Sequence, residues 1–119
     1  VWSLYYEQGD LLMSVKARIS LADKASKGEL IEIKTLVSHP MESGFRRDGM
    51  GESIPRNILK RFSVEYGGDE IFVAEFGPGI AANPFTAFYI RADESGPVRF
   101  VWEDQNGERS IEQRQLTVQ

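Results

Sequence analysis

The chain has 119 residues, 41% apolar and 27% charged, with a net charge of −4; this fits one folded domain with a modest core and argues against intrinsic disorder. It contains no cysteine and one histidine, which excludes disulfides, thiolate metal sites, cysteine nucleophiles and paired-histidine metal sites. No apolar run approaches the ~18–20 residues of a membrane helix, and the acidic balance gives no general basis for holding nucleic acid.

Residues 1–12 carry Trp2, Tyr5 and Tyr6 without alternation and precede Met13. They read as a tag or an upstream extension, with the domain itself at 13–119. They lack the basic start, continuous apolar centre and small-residue cleavage site of a secretory signal. From Val15 the pattern has period two: Val15, Ala17, Ile19 and Leu21 alternate with Lys16, Arg18 and Ser20, a half-buried strand. Lys27-Gly28 turns the chain, and residues 29–37 form the next strand, with Ile31, Ile33, Thr35 and Val37 on one face. A long loop, about 38–57, follows. Residues 58–66 and 70–76 are strands joined by a Gly67-Gly68 hairpin turn. Gly77-Pro78-Gly79 breaks the pattern. Residues 85–92, 98–103 and 108–118 are the last three strands, with Asn106-Gly107 predicting a type I′ turn between the final two. About seven short strands at regular spacing predict an all-β, immunoglobulin-like antiparallel β-sandwich.

Two of these strands are apolar on both faces. In 70–76, Ile71 and Val73 oppose Phe72, Ala74 and Phe76; in 85–92, Phe85, Ala87 and Tyr89 oppose Phe88 and Ile90. One face of an antiparallel sheet is ordinarily polar. Twist and loop coverage explain the pattern, or else one apolar face is kept for another chain.

The chemistry-bearing motifs each have a plainer reading. Gly77-Pro78-Gly79-Ile80-Ala81-Ala82 matches the skeleton of a dinucleotide-binding turn, but that turn needs a helix straight after it. Asn83-Pro84 ends any helix there, so the segment is a loop between strands. His39 could act as a base or metal ligand; a metal would find only carboxylates as further ligands, and no nucleophile elbow is present. The plainer role is a local hydrogen bond that shapes the turn before Pro40. Residues 46–61 hold five cations (Arg46, Arg47, Arg56, Lys60, Arg61) against Asp48 and Glu52. That is a solvated loop face or a contact for an anionic partner surface. The 38–57 loop is long enough to suggest function, with Met41, Phe45 and Met50 offering adaptable apolar contact.

Ile33-Lys34-Thr35-Leu36-Val37-Ser38-His39-Pro40-Met41-Glu42-Ser43-Gly44 resembles the signature of the SoxZ family. Further segments are similar in the same order: Arg46-Arg47-Asp48, Ile54-Pro55-Arg56, Ile80-Ala81-Ala82-Asn83-Pro84-Phe85, and Phe100-Val101-Trp102-Glu103-Asp104 followed by Gly107. The likeness runs from about Val15 to Val118 and leaves residues 1–12 outside it.

This resemblance implies an immunoglobulin-like, non-catalytic subunit without cofactor or metal. It implies pairing with a SoxY-like subunit whose C-terminal cysteine, on a mobile Gly-rich arm, carries the sulfur intermediates of thiosulfate oxidation. It further implies a periplasmic location, with export alongside that partner in place of a signal peptide of its own, and other sulfur-oxidising Sox enzymes as clients. Separately from the resemblance, an apolar face left exposed makes a homodimer possible when the partner is missing. Expected contacts with the partner or its arm are His39, Met41, Glu42, Arg46, Arg47, Asp48, Asn83 and Pro84. Expected apolar interface residues are Phe72, Phe76, Phe88, Tyr89 and Ile90, drawn from both strand faces. Two other classes compete. A superoxide-reductase-like metal site wants several histidines and a cysteine; a generic sandwich interaction module is opposed by the signature residues alone.

Overall fold

The structure is a computed structural model that describes residues 6–7, 10–11 and 16–119. The expectation for residues 1–12 falls largely outside the described residues, as does Val15. The described elements are strands: β1 (Tyr6–Glu7), β2 (Asp10–Leu11), β3 (Lys16–Ser20), β4 (Lys24–Ala25), β5 (Leu30–Ser38), β6 (Leu59–Tyr66), β7 (Asp69–Glu75), β8 (Phe85–Arg91), β9 (Gly96–Asp104) and β10 (Arg109–Val118). β1 and β2 pair with each other. The rest form a five-stranded sheet in the order β4-β10-β9-β6-β7 and a three-stranded sheet in the order β3-β5-β8. All pairings are antiparallel except the short β10–β4 contact. The seven main strands fall where periodicity predicts them, and the β-sandwich expectation holds. No helix of the described residues is long and apolar enough to cross a membrane.

The pattern in β5 shows why the sheets stack. Ile31, Ile33, Thr35 and Val37 are buried while Leu30, Glu32, Lys34 and Leu36 are exposed, the alternation that a pleated strand imposes on its two faces. From the large sheet, Phe62 stacks on Trp102 at 4.8 Å, and Phe100 lies 6.4 Å away in a near-parallel plane. Phe88 of β8 meets Phe62 edge-on at 6.3 Å and stacks on Phe72 of β7 at 4.2 Å. These rings bridge the two layers.

That packing corrects the interface expectation for Phe88 and Ile90. Phe88 and Ile90 are buried core residues, and Phe72 and Phe76 are half-buried against the same core. Of the five, Tyr89 alone is exposed, at 65%. Inside and outside on β8 are set by the aromatic partners in the other sheet.

Two turns contrast. Gly67 and Gly68 both have positive φ, and Tyr66 pairs with Asp69 across them, so the predicted hairpin turn takes the two-residue I′ form. The predicted I′ turn at Asn106-Gly107 is not formed: Gly107 has φ +84° and Asn106 is not left-handed. Gly107 N–H donates to Asp104 C=O at 3.1 Å, so the loop is a type I turn closed by a left-handed glycine. The Asp104 carboxylate selects it, with Oδ1 accepting the N–H of Asn106 (2.8 Å) and Glu108 (2.9 Å).

Candidate functional site

Two signature segments meet at one end of the sandwich. The chain leaves β5 through Ser38-His39-Pro40-Met41 and enters β8 through Asn83-Pro84. Asn83 clamps the two. Its Oδ1 accepts the His39 N–H at 2.9 Å, and its own N–H donates to His39 C=O at 2.8 Å. Asn83 has φ 55°, a left-handed conformation that asparagine tolerates better than most residues. Val37 N–H donating to Pro84 C=O at 3.1 Å extends the clamp into the β5–β8 ladder.

His39 is buried, and its Nδ1 accepts the Met41 N–H at 3.0 Å. Burial holds its pKa below the ordinary imidazole value; the Asp104 carboxylate and a hydrogen bond with the Asn57 side chain pull the other way. An imidazole whose Nδ1 accepts a backbone hydrogen bond is neutral at that nitrogen, so His39 serves as a fixed acceptor that shapes the turn before Pro40. Met41 has φ 49° and is buried, with its Sδ receiving the Leu59 N–H at 3.3 Å. Pro84 is also buried. His39, Met41 and Pro84 therefore hold the loops together rather than offering a contact surface, a correction to their expected role.

The 38–57 segment, read as unstructured, is a stapled finger. Glu42 and Asn57 form an antiparallel bridge with two hydrogen bonds of 2.8 Å, and Arg47 bridges Ser53 further out. Ile54 N–H donates to Arg46 C=O at 2.9 Å, and Asp48 N–H to Glu52 C=O at 2.8 Å. Gly44 is required at the base: φ is +91°, and a Cβ there would lie 3.2 Å from Arg56 Cβ.

The finger's charges are mostly engaged within it. Arg46 makes a two-pronged ion pair with Glu42, whose carboxyl it holds below the usual range. Arg47 Nη1 donates to Gly51 C=O at 2.9 Å. Asp48 Oδ1 accepts the N–H of Met50 (2.8 Å) and Glu52 (3.0 Å), building the tip. What the finger leaves most exposed is apolar: Phe45 at 87% and Met50 at 89%. Arg46, Arg47, Asp48 and Asn83 are exposed, and Glu42 is half-buried.

A third segment joins from the β9–β10 turn, through a residue that sequence reasoning missed. Gln105 Oε1 accepts the Ile58 N–H (3.1 Å) and Arg56 Nε–H (3.2 Å), and its Nε2 donates to Arg56 C=O (2.8 Å). Its position directly after Asp104, inside the F-x-W-x-D segment's turn, was the available signal. Beside Asn83 lies a shallow groove of about 360 Å³, lined by Lys16, Arg18, Leu36, Ser38 and Asn83. Among the described residues no group of three or more His, Asp or Glu gathers to hold a metal ion. The arrangement is a rigid edge of the sandwich: a stapled finger with an apolar tip, a clamped double loop and a groove with a cationic rim.

Among solved structures the chain is similar to a superoxide reductase (neelaredoxin) from Ignicoccus hospitalis at 14% identity, covering 87% of this chain and 79% of that one with a TM-score of 0.63. It is also similar to the sulfur carrier protein SoxY from Chlorobium limicola f thiosulfatophilum at 13% identity, covering 87% and 78% with a TM-score of 0.61. A putative superoxide reductase from Thermotoga maritima shares 16% identity, 87% and 85% coverage and a TM-score of 0.62. Likeness at this identity carries the sandwich fold alone. No curated protein matches the chain. Residues 18–115, which hold the His39–Asn83 clamp, the finger and the Gln105 turn, match the family model of the sulphur oxidation protein SoxZ, and the chain belongs to that family.

Proposed function

We propose that this chain is the non-catalytic subunit of a sulfur-carrier heterodimer. It pairs with a SoxY-like subunit whose cysteine carries covalent sulfur intermediates in thiosulfate oxidation. The observation that carries the reading is the family match across 18–115, because those residues build the finger, the His39–Asn83 clamp and the Gln105 turn. A carrier thiol must be presented to several enzymes in turn. A sandwich with no cysteine of its own supplies a fixed base for it without a competing thiol. Its clients are other sulfur-oxidising Sox enzymes, and the place of work is the periplasm, reached together with the partner. The SoxY of Chlorobium limicola shares the sandwich fold, which supports a pair built from two similar domains.

The finger is the part proposed to face the partner's arm or the clients. Its test is the joint substitution Arg46→Ala, Arg47→Ala and Asp48→Ala in a reconstituted thiosulfate-oxidising assay. Removing Asp48 releases the two tip amides that it now accepts, and removing the arginines frees Glu42 and the Gly51 carbonyl. The expected result is slowed turnover with the heterodimer intact. Unchanged turnover would remove the finger from this role.

A further inference from the structure

We propose that the outer edge of β8 is a self-pairing edge, which joins antiparallel to β8 of a second copy of this chain. This inference does not rest on the sulfur-carrier reading.

An exposed strand edge is a template for pairing, and folded proteins usually blunt it with charge, proline, bulges or shortness. The outer edges of the two sheets differ in this respect. β3 has five residues and carries Lys16 and Arg18; β4 has two. Beyond β4, the outer edge of β10 carries Arg109, Glu112 and Arg114. β7 has Asp69, Glu70 and Glu75 at its ends, and its pairing with β6 is bulged. β8 reads Phe85-Thr86-Ala87-Phe88-Tyr89-Ile90-Arg91, with one charge at its last residue and no bulge in its pairing with β5.

The hydrogen-bond register shows which backbone groups are free. Ala92 N–H donates to Glu29 C=O at 2.8 Å, and Val37 N–H donates to Pro84 C=O at 3.1 Å. Even-numbered residues of β8 therefore face β5. The N–H and C=O groups of Phe85, Ala87, Tyr89 and Arg91 point to the opposite edge, where no strand pairs among the described residues.

Two copies of this edge fit one another. Centred on Phe88, antiparallel pairing overlaps the full strand. It sets Phe85 against the partner's Arg91 and Ala87 against the partner's Tyr89, each twice by symmetry. All four are edge-facing residues, so each makes a narrow pair and the junction gains about eight backbone hydrogen bonds. On the outer face a small residue meets a large one, and a guanidinium meets an aromatic ring, a favourable contact. The exposed Leu36–Phe85 cross-strand pair then continues into a six-stranded surface. The same operation on β7 would put Asp69 against the partner's Glu75, so like charges reject self-pairing there. The chemistry of the two edges thus selects β8.

The test is sedimentation equilibrium of the purified full chain over a wide concentration range, with three variants. The wild type forms a concentration-dependent dimer. Ala87→Pro removes an N–H that the β5 ladder does not use, and proline is tolerated on sheet edges; it weakens the dimer roughly tenfold or more. Phe85→Lys sets lysine against the partner's Arg91, whereas Phe85→Glu sets a carboxylate there. Phe85 is 61% exposed, so both keep the fold, and their dimerisation constants differ by about tenfold in favour of glutamate. A wild type that stays monomeric overturns the proposal, as does a dimer indifferent to Ala87→Pro or to the sign of the charge at 85. A monomeric chain whose binding to a SoxY-like protein is lost on Ala87→Pro assigns the edge to a foreign strand and equally overturns self-pairing.

Discussion

Asn83 makes a separable contribution to stability, because its side chain and its backbone conformation can be altered independently. Replacing it with alanine removes the acceptor of the His39 N–H and places an ordinary Cβ residue at φ 55°. Leaving a largely desolvated donor unpaired costs ~1–3 kcal/mol, and forcing alanine into the left-handed region adds about 1 kcal/mol. Asn83→Ala should therefore lower the unfolding free energy by about 2–4 kcal/mol. Asn83→Gly loses the same hydrogen bond but not the conformation, so its loss is roughly 1–3 kcal/mol. Asn83→Asp retains an acceptor and tolerates the conformation, and should stay within about 1 kcal/mol of the wild type. The assay is urea unfolding of the isolated chain, read as the change in midpoint at constant slope. The order alanine worst, then glycine, then aspartate is the prediction. Glycine below alanine, or alanine indistinguishable from the wild type, would refute the clamp.

Two further outcomes follow from burial. His39 has a folded-state pKa below its usual 6.5. Below that pH the unfolded chain binds a proton that the folded chain resists, so His39 makes stability fall as pH drops from about 6.5 towards the folded-state pKa. His39→Gln should flatten that part of the curve of urea midpoint against pH; an unchanged slope, or a wild type that gains stability on acidification, contradicts the assignment. Phe88 is buried against Phe62 and Phe72, whereas Tyr89 is exposed. Phe88→Asp should leave the isolated chain unfolded by circular dichroism, because an unpaired charge would be buried, while Tyr89→Asp should keep a wild-type spectrum and a similar Tm. The opposite pairing of results would invert the faces of β8.

How far the sequence disclosed this structure depends on the residue. β5 was plain, because Ile31, Ile33, Thr35 and Val37 alternate with residues less suited to burial, and the period alone fixes the buried face. β8 was not, because Phe85, Ala87 and Tyr89 are as apolar as Phe88 and Ile90. Their faces are decided by Phe62 and Phe72, residues of other strands. Asn106-Gly107 suited a type I′ turn on local grounds, but the Asp104 side chain captures two amides and favours the type I form. In the finger, the excess of arginine reads as a solvated face or an anion contact. Arg46 instead pairs with Glu42 four residues earlier, and Arg56 with Gln105 on a distant turn. The i,i+4 spacing of Glu42 and Arg46 was visible in the sequence, but pairing at that spacing is expected of helices, and here it occurs in a bridged loop. The signature segments were legible as a string; that Asn83 closes His39 from both sides emerges only when β5 and β8 are neighbours.

Co-expression of this chain with a tagged SoxY-like subunit from the same operon, followed by native mass spectrometry of the eluted complex, decides whether the two pair. The sulfur-carrier reading expects a complex holding the two subunits in equal numbers that persists in high salt, since a stable pair depends on apolar contact more than on screened surface charge. Recovery of the tagged subunit alone, with this chain folded but unbound, would contradict it and leave a β-sandwich interaction module for some other protein.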